Sequence, residues 1–166
     1  MNIGDSAIYF ALNGARRVIG LEPYPYAFSY AKINVKLNNL NNIVLLNAGY
    51  GKDSKILVDN SISSISSQLF PSSKRGKEIP IYSLRTLVSR FEVKDAILKM
   101  DCEGYEYNLL DEDEEILRRF RMIQIEYHYG YEKLEEKLKK VGFKVKHTEP
   151  INFYNAKLGY IYAEIR

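Results

Sequence analysis

The segment Asp101-Cys102-Glu103-Gly104-Tyr105-Glu106 places three carboxylates beside a glycine turn. It follows the apolar run Ala96–Met100, which is typical of a buried strand. Ligands bind at the carboxyl ends of the strands in open α/β sheets, so these acids are candidates for ligand chemistry. They could instead cap the next helix, or bind a hard cation through oxygen ligands. Because the sequence places no further acid to complete a metal shell, we predict no metal site.

A histidine and a glutamate close the next predicted strand, Met122–Glu126, at Glu126 and His128. Histidine titrates near neutral pH and suits proton transfer at a ligand-side strand end. A structural histidine, hydrogen-bonded at the loop, is the alternative. The chain has two histidines, and we expect His147 to be structural because it lies mid-strand near a sheet edge. Cys102 is expected to be a small buried residue rather than a nucleophile, because no histidine adjoins it in sequence.

Near the N-terminus, the segment Asn2-Ile3-Gly4-Asp5 precedes the first amphipathic helix. A glycine at a helix start lets a ligand approach the free backbone N–H groups. Glu22 lies eighteen residues beyond Gly4, at the end of the next predicted strand. A carboxylate at that position can accept both ribose hydroxyls of an adenosine-type cofactor. The pair is not specific by itself, since glycine before a helix and a solvated acid after a strand are both common.

An alternating α/β framework must position these candidate residues. Apolar runs of strand length alternate with helical periodicities along the chain. The last two strands have no helix between them, so they are predicted to be antiparallel. We expect a mostly parallel sheet with helices on both faces and an antiparallel strand near the C-terminus. The predicted strands are Arg17–Leu21, Ile43–Leu46, Lys55–Val58, Ile79–Tyr82, Ala96–Met100, Met122–Glu126, Phe143–His147 and Leu158–Ile165. The predicted helices are one after Asp5, one that begins at Pro25 and ends near Asn38–Asn42, Ser83–Arg90, Tyr105–Leu110, one beginning in the acidic run Asp111–Glu115, and Glu132–Val141.

Two segments carry expectations of their own. Pro80 lies in the predicted strand Ile79–Tyr82, and because proline is poorly tolerated in central strands we predict an edge strand. The segment Asp59–Lys77 is rich in serine and contains the breakers Pro71 and Gly76, so we predict a long loop. Long loops in compact domains are often lids or substrate-binding segments, and a plain connector is the alternative.

The composition excludes several classes of protein. The length of 166 residues suits one domain spanning 1–166. The single cysteine excludes a disulfide framework and a cysteine-based zinc site. Because disulfides are typical of secreted proteins, we predict a cytoplasmic location. No run approaches the roughly 18 apolar residues of a membrane span, and the N-terminus lacks the basic region of a signal peptide. The net charge is +3, from 24 Lys+Arg and 21 Asp+Glu, and acids interrupt the basic residues along the chain. We therefore predict neither a membrane nor a nucleic-acid partner.

Taken together, these residues resemble the FkbM family of S-adenosylmethionine-dependent methyltransferases. The most specific pieces are Glu22-Pro23-x-Pro25 and Lys99-x-Asp101-x-Glu103-Gly104-x-Glu106. The matching segments occur in the family's order and cover most of the chain: NIGDSAIYFALNGARRVIGLEPYPYAFSYAKINVKLN, NIVLLNAGYG, IPIYSLRTLV, AILKMDCEGYEYNLL, IQIEYHYG and VGF.

The resemblance implies a Rossmann-like methyltransferase fold that binds S-adenosylmethionine. The Asn2–Asp5 loop would face the methionine end of the cofactor, Glu22 would hold the ribose hydroxyls, and Asn47 and Ala48 would lie near the adenine. The acceptor would be a small molecule, methylated on a hydroxyl of a sugar or metabolite. The implied site residues are Asn2, Gly4, Asp5, Glu22, Asn47, Ala48 and Asp101 for the cofactor, Glu103 and Glu126 for the acceptor, and His128, Asp101 and Glu103 for catalysis.

One departure from the family concerns its first strand. The family has a strand before this loop that ends in an Asp-x-Gly-Ala-Asn-x-Gly-type motif, whereas this sequence starts at Met1-Asn2-Ile3-Gly4. That strand usually lies between the strands ending at Glu22 and at Asp101, so its loss predicts two exposed apolar strand edges. Three explanations compete: a true start upstream, a gene shortened to a remnant, or closure of the gap by the remaining strands.

Two hypotheses of function follow. In the first, the chain is a methyltransferase in which His128, or one of Asp101 and Glu103, takes the proton of the acceptor hydroxyl. In the second, it is a non-catalytic remnant of the fold that acts as a binding or interaction protein, and its exposed edges predict a homodimer or pairing with another chain. A nicotinamide-dependent dehydrogenase also uses an acid like Glu22, but no G-x-G-x-x-G opens the first helix.

Overall fold

In a computed structural model of the chain, the described residues are 1–59, 76–154 and 156–165. They form two compact units, Met1–Tyr82 and Ser83–Arg166. The predicted loop Asp59–Lys77 falls mostly on residues 60–75, outside the described residues, so its role stays a prediction. The assignment of the whole chain to one domain also stays a prediction. No helix within the described residues is long and apolar enough to cross a membrane.

The first unit begins with a parallel strand–helix–strand arrangement. β1 (Val18–Leu21) and β2 (Ile43–Leu46) pair in parallel along their whole length. α1 (Asp5–Leu12) packs against β1, and α2 (Pro25–Leu37) connects the two strands and packs against β2. α2 begins at Pro25 as predicted, because the first helical position has no partner for an N–H and proline lacks one. The carboxyl ends of β1 and β2 therefore lie side by side.

A three-stranded sheet completes the first unit. β5 (Lys77–Tyr82) lies between β3 (Gly49–Tyr50), to which it is parallel, and β4 (Ser54–Val58), to which it is antiparallel. The predicted edge position of the strand that contains Pro80 is therefore wrong. β3 is only two residues long and pairs with the last two residues of β5, so it does not extend to Pro80. The central strand tolerates proline because the β3 pairing does not need the N–H that proline lacks.

The second unit contains a sheet flanked by short helices. Its elements are α3 (Leu84–Phe91), β6 (Ala96–Met100), a 3₁₀ helix (Tyr105–Asp111), α4 (Glu114–Leu117), β7 (Phe120–Tyr127), α5 (Glu132–Val141), β8 (Lys144–His147), β9 (Ile151–Phe153) and β10 (Ala156–Glu164). β6 and β7 are parallel, whereas β10 is antiparallel to β7, β8 and β9. The predicted antiparallel strand near the C-terminus is thus β10, and the short strand β9 was not predicted. The fold is of the α/β class, as the sequence predicts.

One face of this sheet forms the core of the second unit. Ile123, Ile125 and Tyr127 alternate along β7 and are fully buried. Leu134 and Leu138, one helical turn apart on α5, are also fully buried, and α5 packs against β8 and the 3₁₀ helix. The period-two pattern of β7 and the helical spacing of α5 therefore point to a common interior. This packing fixes the ends of β6 and β7, where the candidate catalytic residues lie.

The segment after β6 differs from the prediction. The expected α-helix Tyr105–Leu110 is a 3₁₀ helix that runs to Asp111. In a 3₁₀ helix residues i and i+3 lie on one side, and here Glu106 and Leu109 are both fully buried. The tighter turn thus directs the Glu106 carboxylate into the interior. The acidic run leads into a short helix as predicted, although α4 begins only at Glu114.

Among the strands with an unpaired edge within the described residues, two lead to candidate site residues. β1 pairs only with β2, and β6 pairs only with β7. These are the strands that lead to Glu22 and Asp101, and an open edge is expected at each of them from the sequence. Strand edges of this kind can accept a further strand.

Candidate functional site

The acid after β1 is buried and hydrogen-bonded to the backbone. Glu22 is 6% exposed; its Oε2 accepts the Asn2 N–H at 2.8 Å, and its Oε1 accepts the Tyr24 N–H at 3.0 Å. Burial raises the pKa of Glu22, while the Met1 amino group and these two N–H groups oppose the shift. The carboxylate therefore joins the segment before α1 to the turn after β1. The Glu22 cluster is defined as Asn2, Gly4, Glu22 and Asn47.

Asn47, directly after β2, stabilises the turn after β1 by hydrogen bonds. Its Nδ2 donates to the carbonyl oxygens of Glu22 at 2.9 Å and Pro23 at 3.0 Å, and its Oδ1 accepts from Lys77 Nζ at 2.8 Å. The next residue, Ala48, is fully buried. Of the two residues expected near the adenine, Asn47 thus holds the turn after β1 and Ala48 lies in the interior of the first unit.

Gly4 is required by backbone conformation and by packing. Its φ is 95°, in the left-handed region that favours glycine. A Cβ at this position would lie 3.3 Å from both Cα and Cβ of Ala31 on α2. Asp5 follows as the first residue of α1 and is exposed. Close approach of α1 and α2 therefore explains this glycine, whereas ligand access was the reason expected from the sequence.

The Glu22 carboxylate has acceptor positions left for a ligand. A carboxylate has about four such positions, and the N–H groups of Asn2 and Tyr24 fill one on each oxygen. One position on each oxygen could then accept a ribose hydroxyl, with the Met1 amino group 3.8 Å from Oε2. The residues present after β1 therefore fit an adenosine-type cofactor.

At the ends of β6 and β7, a histidine is held by a buried acid. Glu106 is fully buried; its Oε1 accepts the His128 N–H at 3.0 Å and lies 2.9 Å from His128 Nδ1, and its Oε2 accepts the Gly104 N–H at 2.9 Å. On the other side of the ring, Nε2 lies 3.4 Å from Oε2 of Glu103. The hydrogen bond with Glu106 raises the pKa of His128, and burial opposes this shift. The His128 cluster is defined as Asp101, Glu103, Glu106, Glu126 and His128.

Asp101 and Glu126 meet His128 because β6 and β7 are parallel neighbours whose register pairs the residues just before these acids. One oxygen from each acid and one ring nitrogen of His128 lie within 4.8 Å of one another. Such oxygen and nitrogen donors could hold a divalent cation. Lys99 Nζ lies 3.6 Å from Asp101 Oδ2, so one positive charge is already supplied at this acid.

Burial and the proximity of other charges shift the pKa values of the acids in the His128 cluster. Burial raises the pKa of Glu126; repulsion by Asp101 adds to this shift, and His128 opposes it. Burial also raises the pKa of Glu103, again opposed by His128. Tyr160 on β10 hydrogen-bonds to Glu126. A ring nitrogen surrounded by carboxylates can accept a proton and stabilise the resulting positive charge, which is the chemistry needed to deprotonate a hydroxyl.

Cys102 and His147 lie outside the two clusters. Burial raises the pKa of the Cys102 thiol to about 12, so the thiol stays protonated at neutral pH and is a poor nucleophile. His147 ends β8, although the sequence predicts a mid-strand position. Its ring stacks on Tyr131 with the ring centroids 3.6 Å apart, a contact that suits a structural role.

The sequence reasoning counted Glu106 among the candidate acids after β6 but gave it no role, and it missed Tyr160. For Glu106 a signal exists, because the apolar Leu109 follows three residues later and shares its buried side of the 3₁₀ helix. Tyr160 carries no such signal, since its contact with Glu126 arises from the pairing of β10 with β7. The residues brought together as predicted are Asp101, Glu103, Glu126 and His128 in the second unit, and Asn2, Glu22 and Asn47 in the first.

Solved methyltransferases share this fold. TYW2 from M. jannaschii, crystallised with AdoMet, gives a TM-score of 0.54 at 20% identity, over 98% of this chain and 64% of that chain. An rRNA methylase from Streptococcus thermophilus gives a TM-score of 0.55 at 15% identity, over 99% of this chain and 81% of that chain. Trm5b from Pyrococcus abyssi gives a TM-score of 0.50 at 20% identity, over 98% of this chain and 41% of that chain. The chain thus spans less than two thirds of the length of TYW2 and Trm5b, and its fold is the Rossmann-like fold of S-adenosylmethionine-dependent methyltransferases.

Sequence comparison defines the family more closely. The family model described as the methyltransferase FkbM domain matches residues 1–160. The chain belongs to this family, whose cofactor is S-adenosylmethionine. The predicted family, fold class and cofactor are therefore confirmed. No curated protein matches the chain in sequence.

Proposed function

We propose that this chain transfers a methyl group from S-adenosylmethionine to a hydroxyl of a sugar or another small metabolite. Membership of the FkbM family supports methyl transfer. The His128 cluster supports a hydroxyl acceptor, because a hydroxyl must lose its proton as the oxygen is methylated. The observation that carries the proposal is the His128 ring, with Nδ1 on Glu106 at 2.9 Å and Nε2 3.4 Å from Glu103.

The Glu22 cluster is the proposed cofactor site. Glu22 would accept the two ribose hydroxyls at the positions that the backbone N–H groups leave open. When bound, S-adenosylmethionine supplies a methyl group on a positively charged sulfur, so the protein has only the acceptor's proton to remove. The residues proposed to contact the cofactor are Asn2, Gly4 and Asp5 at its methionine end, Asn47 and Ala48 near the adenine, and Asp101.

His128 is the proposed general base. With Nδ1 protonated toward Glu106, Nε2 has the lone pair that can take the hydroxyl proton. Glu103 would stabilise the positive ring that forms, and Glu103 and Asp101 are the alternative proton acceptors. Glu103 and Glu126 would also orient the acceptor by accepting hydrogen bonds from its hydroxyls. A positioned base contributes roughly 100- to 10,000-fold in rate, and correct positioning lowers the barrier by several kcal/mol more.

A second candidate function is a non-catalytic protein of the same fold that binds a partner. The unpaired edges of β1 and β6 within the described residues favour it, because such edges pair readily with another chain or a second copy. A homodimer formed through an edge belongs to this candidate. In this candidate, the hydrogen bond from the Asn2 N–H to Glu22 would block the cofactor site rather than prepare it for a ligand.

The charge distribution supports a small acceptor over RNA. The rRNA methylase among the similar structures is named for its action on RNA, and its fold alone is shared with this chain. Basic and acidic residues are nearly balanced here, at 24 and 21, and glutamates interrupt the lysines of Lys133–Lys140. RNA is therefore not the proposed acceptor, and the methyl-transfer test below includes it as a separate arm. A cytoplasmic location is part of the same proposal and rests on the single cysteine.

Cofactor binding is the first test. The chain is titrated with S-adenosylmethionine and S-adenosylhomocysteine in a calorimeter. Micromolar binding, about −8 kcal/mol, is expected. A folded chain that binds neither compound would contradict the proposed enzyme and favour the partner-binding candidate, which sedimentation would then examine as a dimer.

Methyl transfer is the second test. Transfer of a labelled methyl group is measured with a panel of hydroxylated sugars and metabolites, and with RNA as a separate arm. His128→Ala is expected to lower turnover by roughly 100-fold or more. His147→Gln changes the other histidine and should leave turnover near the wild-type value. Unchanged turnover in H128A would remove His128 from the base role, and labelling of RNA alone would overturn the small-molecule acceptor.

A further inference from the structure

The carboxylate of Glu106 joins the ends of two neighbouring strands. Its Oε2 accepts the N–H of Gly104, in the turn after β6, at 2.9 Å. Its Oε1 accepts the N–H of His128, directly after β7, at 3.0 Å and lies 2.9 Å from Nδ1 of the same residue. Glu106 is fully buried, so these three contacts satisfy a charge that water does not reach.

The contact with Oε1 decides which nitrogen of His128 carries the proton. An ionised carboxylate only accepts hydrogen bonds, so Nδ1 at 2.9 Å must donate. In the neutral ring the lone pair then lies on Nε2, the nitrogen on the side of Glu103. Because the backbone N–H of His128 bonds to the same oxygen, the residue is fixed at its backbone and at its ring.

We infer that Glu106 is a positioning residue for His128, which holds the ring so that Nε2 receives the proton of the acceptor hydroxyl. The inference rests on the proposed function, in which His128 is the base. In the proton step the acceptor's O–H bond breaks and an Nε2–H bond forms, while Nδ1 keeps its proton. The oxygen retains the electron pair of the broken bond for the methyl group. The positive ring is paired with Glu106 until water takes its extra proton.

The electrostatic surroundings agree with this geometry. The hydrogen bond with Glu106 is the largest cause of the raised pKa of His128. Glu103, Asp101 and Glu126 also face the ring and influence its charge. Only Glu106, among the described acids of this cluster, contacts Nδ1. Loss of its charge is therefore expected to lower the pKa of His128 and to release the preference for a protonated Nδ1.

NMR of the imidazole nitrogens tests the inference without any acceptor. The chain has two histidines, and a His147→Gln variant assigns the signals of His128. In the wild type, neutral His128 is expected to carry its proton on Nδ1. In Glu106→Gln the dominance of that tautomer is expected to be lost and the pKa of His128 to fall. Glu106→Asp keeps a carboxylate and should restore part of both properties.

A matched control lies beside the other histidine. Glu135 Oε2 is 3.9 Å from Nε2 of His147, so Glu135→Gln makes the same chemical change next to a histidine outside the cluster. The His128 signals should stay unchanged in E135Q. Where turnover is measured, E106Q is expected to lower kcat by roughly 100-fold or more with KM little changed, because an orienting acid acts on the chemical step.

The outcomes separate the inference from the proposed function. A neutral wild-type His128 ring with its proton on Nε2 overturns the inference, even if E106Q does not fold. An unchanged tautomer and pKa in folded E106Q overturn it as well, and leave the proposed function standing. If the tautomer changes in E106Q but H128A keeps full turnover, the proposed base fails, and the catalytic value of Glu106 fails with it.

Discussion

The backbone N–H of Asn2 donates to Oε2 of Glu22 at 2.8 Å, although the two residues are 20 apart in sequence. The other oxygen of Glu22 accepts from the Tyr24 backbone, and Asn47 binds the Glu22 carbonyl oxygen. One buried carboxylate thus holds the segment before α1 and still has a lone pair on each oxygen for a ligand. Its charge matters for the local fold and for the proposed cofactor site alike.

Glu22→Gln is expected to weaken binding of S-adenosylmethionine by roughly 10- to 100-fold. The amide replaces a charged acceptor, and a hydrogen bond to a charged group is worth about 1.5–3 kcal/mol. The amide also brings an NH₂ group against backbone N–H donors that the carboxylate now satisfies. Calorimetric titration of both proteins measures the change.

A matched acid in the same unit controls for charge alone. Glu78 on β5 is exposed and pairs with Lys55 Nζ at 2.8 Å, so Glu78→Gln removes one negative charge away from the cluster. Its affinity for the cofactor should equal that of the wild type. Thermal unfolding of E22Q is measured alongside, to separate loss of the ligand contact from loss of the fold. Wild-type affinity in a folded E22Q would exclude Glu22 as the ribose acid.

His128 makes the stability of the folded chain depend on pH. Its pKa is raised above the ordinary value of 6.5, so the folded state binds this proton more tightly than the unfolded state. The stabilisation is fully present below the unfolded value and is lost as pH rises through the raised folded value. The difference in unfolding free energy between wild type and His128→Gln should therefore be largest below pH 6.5 and shrink above it. Urea denaturation at a series of pH values measures this difference.

The comparison with H128Q is needed because other groups act in the same direction. The pKa values of Glu103 and Glu126 are also raised above 4.5, so the folded state binds their protons more tightly than the unfolded state. These two acids therefore also lower the stability of the folded state as pH rises above 4.5. Their window lies lower and is common to both proteins to a first approximation. A difference between wild type and H128Q that grows with pH has the opposite sign and would contradict the prediction.

Elements with strong periodicity were predictable from the sequence. Ile43–Leu46, Ala96–Met100 and Glu132–Val141 agree with β2, β6 and α5, because buried apolar runs and helical spacing are local signals. The strand that contains Pro80 was misplaced, since its neighbours depend on how far β3 extends, which is a property of the sheet. The 3₁₀ helix was misread for a similar reason, because the burial of Glu106 selects its three-residue period.

Part of the candidate site was predictable by the same logic. Parallel strands bring their carboxyl ends to one edge, which is why Asp101 and Glu126 meet as expected. Glu106 was not assigned a role, since an acid in a sequence pattern indicates an exposed position and its partner His128 is 22 residues away. The contact of Tyr160 with Glu126 forms only when β10 pairs with β7, so it leaves no local signal.

Gly159 on β10 lies opposite Tyr127 on β7 and leaves space for its ring. A Cβ at position 159 would overlap the Tyr127 hydroxyl and lie 2.8 Å from Oγ1 of Thr148. Tyr127 is fully buried and donates its hydroxyl to the Thr148 carbonyl oxygen at 2.9 Å, so it cannot move aside freely. Gly159→Ala is expected to destabilise the fold by about 1–3 kcal/mol through overpacking.

Urea denaturation of single and double variants checks this explanation. Tyr127→Leu removes both the hydroxyl and the ring carbon Cζ that the new Cβ would overlap, so G159A should lose less stability in the Y127L background than in the wild type. The two changes should therefore be non-additive, as expected for residues in contact. Additive effects of the two substitutions would show that G159A acts through backbone propensity instead.

Gly4 and Gly14 form a pair that separates backbone strain from packing. Their φ angles are 95° and 91°, so alanine at either position costs about 1–2 kcal/mol in the left-handed region. A Cβ at Gly4 would lie 3.3 Å from Ala31, whereas a Cβ at Gly14 would have nothing within 4 Å among the described residues. Gly4→Ala should therefore lose more stability than Gly14→Ala, by about 1 kcal/mol. The excess should decrease when Ala31→Gly removes the facing methyl group, and equal losses of stability in G4A and G14A would assign the role of Gly4 to its backbone conformation alone.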